Sequence, residues 1–136
     1  MTKMRDLHWK RIVAGGVVTH VISMGVLVAV IVGYSLVGTA GSGGKPDQLA
    51  IQQFSMVSGA LLFPALTILI TGVSAAWVAR EVKSRTATSH GAGVGIVVGT
   101  LGLAFGALDL TMLVRFVTTV VAGVLGAKVH LALSVE

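Results

Sequence analysis

The sequence contains no cysteine and few acidic residues or prolines. Its 136 residues include five acidic residues and two prolines, and charged residues make up 11% of the chain. Without cysteine, the chain can form no disulfide, no thiolate nucleophile and no Cys-ligated metal site. The acidic residues lie scattered over chain ends and loops, with no carboxylate pair for acid–base catalysis: Asp6, Asp47, Glu81, Asp109 and Glu136. We therefore expect a protein that is not an enzyme.

The histidines predict neither a metal site nor another cofactor site. His20 lies inside an apolar segment, His90 and His130 lie near the ends of such segments, and His8 precedes the first one. A haem held by two histidines needs both ligands at a matching depth, and these depths differ. A zinc site is not expected either, because no carboxylate accompanies any pair of these histidines. We expect no metal and no other cofactor.

Apolar residues dominate what the sequence does contain. Hydrophobic residues make up 54% of the chain and the mean hydropathy is +0.94, whereas a soluble domain carries about 25% charged residues. Four apolar segments are each long enough to cross about 30 Å of hydrocarbon as a helix: 12–37, 54–79, 91–108 and 112–133. The sequence predicts an all-α integral membrane protein, a bundle of four transmembrane helices forming one domain over 1–136 in the lipid bilayer.

Aspartates mark two of the predicted helix starts. Pro46 and Asp47 favour the first turn of a helix, so we expect the second helix to begin near Asp47. Asp109 and Arg115 interrupt the last apolar stretch, and a tight hairpin near 109–111 keeps them out of the hydrocarbon. We expect Asp109 to cap the fourth helix and to form an ion pair with Arg115 at the outer hairpin.

The basic residues are distributed unevenly between the two sides of the predicted bundle. Lys45 and Arg115 fall on one side, and eight fall on the other: Lys3, Arg5, Lys10, Arg11, Arg80, Lys83, Arg85 and Lys128. The positive-inside rule then places both termini in the cytoplasm. The basic ends and the glycine-rich loop favour the inner membrane of a bacterium. Because the basic residues do not alternate with aromatics on one face, we expect no nucleic-acid partner.

Small residues recur at four-residue spacing along three of the predicted helices. In a membrane such residues let helix backbones approach closely, and this close approach supplies packing energy. The predicted packing positions are Gly25, Ala29, Gly33, Gly91, Gly95, Gly99, Gly102, Gly106, Gly123 and Ala127. The third helix is the candidate interface because its glycines spread over more than one stripe. The spacing leaves open whether the neighbours belong to this chain or to a partner.

His20 and Pro64 are the other unusual residues in the spans. His20 is an ionisable residue within the predicted hydrocarbon, where such groups are costly and often functional. Thr19, Ser23 and Thr71 are candidate neighbours that would form a polar site with it, and hydrogen bonding to them is the structural alternative. Pro64 removes a backbone hydrogen bond in the middle of the second helix and predicts a kink.

The sequence therefore predicts a protein that acts through helix packing. We expect an accessory or scaffold subunit, or a homo-oligomer, whose partners are other membrane helices. The alternative is a small ion channel or transporter with a path near His20 and the kink at Pro64. A path that depends on an imidazole would respond to pH between 5 and 8.

Overall fold

A computed structural model describes residues 8–80, 82–104 and 109–133. Over these residues the chain is all-helical, with four helices that are long and apolar enough to cross a membrane. They are α1 (Trp9–Gly41), α2 (Gln48–Ala79), α3 (Ser84–Ala104) and α4 (Leu110–Leu133). The predicted class and number of helices are confirmed. Part of the predicted third segment, 105–108, lies outside the described residues.

Asp109 caps α4 as predicted, and Asp47, expected near the start of the second helix, is the residue that caps α2. The Asp47 side chain accepts a hydrogen bond from the backbone N–H of Ala50 at 3.0 Å, and that of Asp109 accepts one from Met112 at 2.8 Å. Each bond satisfies one of the N–H groups that a helix start leaves without a partner. In the connection before α2, Gly43 and Gly44 have φ angles of 68° and 87°, a left-handed conformation that favours glycine.

Helices α2 and α3 form the middle of the bundle. Helix α1 packs against both of them, and α4 packs against the same two helices, with the most extensive contact between α3 and α4. We call the end at which α1 begins and α4 ends the terminal end, and the opposite end the far end. Buried apolar residues near the terminal end join α1, α2 and α3 in one cluster: Ile12, Ala75, Val78, Val94 and Val98.

The far end of the α1–α2 pair extends as a two-helix arm. The last buried residue of α1 is Ser23, and the first buried residue of α2 is Ser58. Within the arm, residues 24–62, the rings of Tyr34 and Phe54 stack with centroids 3.9 Å apart. The α2 part of the arm packs mainly against α1, and at 1.5 Å per residue it is about 20 Å long. The four-helix packing therefore occupies only the terminal part of the molecule's length.

Candidate functional site

The glycines of α3 and α4 lie where the two backbones meet. A Cβ atom on Gly91 would collide with the carbonyl of Gly123, and one on Gly95 would collide with the backbone of Thr119 and Val120. Glycine allows this approach because no side chain separates the helices. These predicted packing positions are therefore occupied by contacts within the chain.

The remaining predicted positions of α3 and α4 differ in their surroundings. A Cβ on Gly99 would press against the ring of Phe116, whereas nothing lies within 4 Å of the same position on Gly102. Ala127 is fully buried and lies against Gly91. Gly106 lies outside the described residues. The close packing between α3 and α4 thus weakens toward the far end.

The small residues predicted to pack in α1 face outward on the arm. Gly25, Ala29 and Gly33 are exposed, and nothing lies within 4 Å of a Cβ built on either glycine. They form an open small-residue face that no other part of the described chain covers. Whether this face packs against another molecule stays a prediction.

Helix α1 instead packs through glycines that the sequence reasoning missed. A Cβ on Gly15 would press on Val78 of α2, and one on Gly16 would collide with Val97 of α3. Gly15, Thr19 and Ser23 are spaced four residues apart, which is the small-residue signal that could have identified this face.

The predicted polar site around His20 is divided in the structure. Thr19 and Ser23 are buried, and their hydroxyls donate to backbone carbonyls one turn earlier. Thr19 Oγ1 also lies 2.8 Å from Ser74 Oγ, and Thr71 Oγ1 donates to the carbonyl of Thr67. These hydroxyls act in helix packing, while His20 lies toward a cavity on another side of α1.

That cavity lies between all four helices and has a volume of about 70 Å³. The imidazole of His20 meets the ring of Phe63 edge-on, with centroids 5.8 Å apart. The polar part of the lining also includes Thr67, Arg115 and Thr119. Apolar side chains make up most of the rest: Phe63, Pro64, Ile68, Val98, Leu103, Met112 and Phe116. This mostly apolar pocket, with a few polar side chains in its wall, is the candidate functional site.

Pro64 lies on the cavity wall, directly after an irregular turn. Residues Ser58–Leu62 form a π turn, in which the N–H of Phe63 donates to the carbonyl of Ser58. Because proline has no N–H, the carbonyl of Ala60 lacks its usual α-helical donor. Arg115 Nη2 donates to that carbonyl at 3.2 Å. The disturbance expected at Pro64 thus takes the form of a π turn stabilised by a side chain from α4.

The predicted ion pair between Asp109 and Arg115 is wrong. Within the described α4 region the Asp109 carboxylate caps the helix, while the Arg115 guanidinium donates to Ala60 of α2. The cap and the carbonyl released by Pro64 each provide a partner in a fixed position, so the two charges serve different contacts.

A second histidine has a defined role that the sequence did not indicate. His90 is fully buried, its Nδ1 lies 2.8 Å from the carbonyl of Thr86, and its Nε2 accepts the backbone N–H of His8 at 3.0 Å. A carbonyl only accepts and an amide N–H only donates, so the ring carries its proton on Nδ1 and is neutral. His90 therefore ties the start of α1 to α3.

The side chains of this site can act by forming hydrogen bonds and by carrying a charge. Within residues 8–80, 82–104 and 109–133, no group of three or more His, Cys, Asp or Glu side chains is placed to hold a metal ion. The candidate site combines a guanidinium, an imidazole and two hydroxyls. Comparison with known proteins finds no matching family model, no matching curated protein and no matching solved structure.

Proposed function

We propose that this chain is an integral membrane protein that acts non-enzymatically by docking to other membrane helices. Four apolar helices and their exposed apolar side chains support insertion in a bilayer. The excess of basic residues at the terminal end supports an orientation with both termini in the cytoplasm, as in a bacterial inner membrane. The partner is a second copy of the chain or another membrane subunit.

The observation that carries the docking proposal is the open small-residue face of α1. The glycines of α3, first expected to form the interface, are largely engaged with α4 of the same chain. The face of Gly25, Ala29 and Gly33 keeps the spacing that lets helices approach closely, and no described residue covers it. We therefore assign docking to α1 rather than to α3.

Native mass spectrometry in a mild detergent tests this assignment. Gly25→Leu and Gly33→Leu have room within the chain itself, so they should preserve the fold and release the protein from its assembly. The control is Met24→Leu, which changes an exposed apolar residue of α1 on the opposite side of the helix from Ala29 and Gly33 and should leave the assembly intact. A wild-type protein without partners, or an assembly unaffected by the glycine variants, would contradict the proposal.

The cavity favours a second candidate function, that of a small channel or transporter. The pocket has a few polar side chains in a mostly apolar wall and lies beside a π turn and a proline, so it provides a place for a solute or ion to bind within the bundle. Flux through proteoliposomes along a path that depends on an imidazole should then change between pH 5 and 8, because histidine is the side-chain type that ordinarily changes charge in that range. If His20→Ala preserves both the flux and its pH profile, this function is excluded.

A further inference from the structure

We propose that the cavity between the four helices is a binding site for a small inorganic anion of halide size, with Arg115 as its main ligand. This inference goes beyond docking and does not depend on it, because the cavity lies away from the open face of α1. It also does not require transport, since a bound anion can be a fixed part of the fold.

The first argument is the charge balance of the cavity. Arg115 has five N–H donors and remains protonated in proteins, and its described hydrogen bond is the one from Nη2 to the carbonyl of Ala60. No carboxylate of the described residues lines the cavity. Asp109, the acid closest to Arg115 in the sequence, directs its oxygen to Met112. The described partner of the guanidinium is therefore a neutral carbonyl group. A bound anion would neutralise the positive charge, which the carbonyl does not.

The second argument is the surroundings of that charge. Apolar side chains form most of the wall, so electrostatic interactions in the cavity are less screened than in water. The hydroxyls of Thr67 and Thr119 donate to the carbonyls of Phe63 and Phe116. This leaves Arg115 as the charged donor of the described lining, and a guanidinium favours a negatively charged ligand.

The third argument is size. The cavity of about 70 Å³ exceeds the roughly 10–15 Å³ of such space that one water molecule needs. It accommodates a halide with a few water molecules. The ligand class that fits this space is therefore a small inorganic anion.

Halide titration of the purified protein in a phosphate-free maltoside detergent tests the site. Replacing gluconate by chloride at constant ionic strength should raise the melting temperature by several degrees and then saturate, because a ligand that binds only the folded state stabilises it. Chloride NMR of the wild-type protein should show line broadening that saturates over the same range. No saturable effect in either measurement overturns the proposal.

Three variants localise the effect. Arg115→Met should abolish it, and the exposed Arg85→Met at the terminal end should retain it. Because Arg115→Met can also impair folding, Gly102→Leu provides a second test: Gly102 lines the cavity and has open space at its Cβ position, so leucine should fill the site while Arg115 stays.

A chloride effect that persists in both cavity variants contradicts the site. Added phospholipid provides a separate test of the anion's source. If phospholipid stabilises the protein through Arg115 while chloride has no effect, the ligand is a lipid phosphate and the proposed halide-sized site is wrong.

Discussion

At the scale of single residues, His90 shows how a buried polar side chain is matched to its neighbours. Its ring bridges the carbonyl of Thr86 and the backbone N–H of His8. The N–H of a residue preceding a helix has no partner within that helix. His90 supplies one from α3 and so holds the first turn of α1 against the bundle.

We expect His90→Phe to loosen the start of α1. The substitution removes the acceptor of the His8 N–H, and the loss of one such hydrogen bond costs about 1 kcal/mol. Hydrogen exchange of the backbone amides near Trp9 should become faster. His8→Phe is the matched control, because it keeps the backbone N–H and a ring beside that of His90, where the two imidazole centroids lie 5.7 Å apart. Unchanged exchange in His90→Phe, or equal acceleration in His8→Phe, would contradict the role given to His90.

At the scale of secondary-structure elements, a side chain of α4 compensates for an irregularity of α2. Pro64 leaves the carbonyl of Ala60 without its helical donor, and Arg115 provides one from α4. The side chain of Arg115 in α4 thereby supplies a hydrogen bond that the backbone of α2 lacks. The two residues should be coupled energetically, although they lie far apart in the sequence.

A double-mutant cycle measures this coupling. Arg115→Met alone should destabilise the protein by about 1 kcal/mol, because it leaves the carbonyl of Ala60 without this donor. In a Pro64→Ala background the same change should cost less, since an N–H at position 64 can bond to that carbonyl. The free energy of unfolding in chloride-free detergent solution gives the coupling, expected at about 1 kcal/mol. Strictly additive effects would show that the two residues act independently.

At the scale of the whole molecule, two helical hairpins of unequal length pack side by side. Helices α3 and α4 pack closely on each other, while α1 and α2 continue beyond them as the arm. The arm exposes apolar residues on several sides, among them Val28, Val32 and Leu61. In the proposed membrane setting, lipid or a partner covers these side chains.

Single-cysteine labelling tests the orientation of the molecule, and the absence of native cysteine makes the experiment direct. Ser42→Cys at the tip of the arm should react with a membrane-impermeant maleimide in intact cells. Ser84→Cys, exposed at the start of α3, should react only after the membrane is opened. The opposite pattern would contradict the placement of both termini in the cytoplasm, which follows from the positive-inside rule.

Much of the fold could be predicted because its signals are local. The length of the apolar segments indicates four helices, and Asp47 and Asp109 cap α2 and α4 because their side chains reach the N–H groups of the first turn. The candidate site was only partly predictable. His20 and Pro64 stand out in an apolar sequence, but nothing in the sequence shows that Arg115 would reach Ala60.

The sequence by itself determined that this is an all-helical protein with four membrane-length helices, because hydropathy, length and capping depend on neighbouring residues. Only the tertiary structure decided how those helices use their small and polar residues. Regular spacing occurs both in α3, where glycines meet α4, and in the outer half of α1, where they meet no described residue. The difference arises from which helix faces lie opposite each other, which a one-dimensional pattern does not specify.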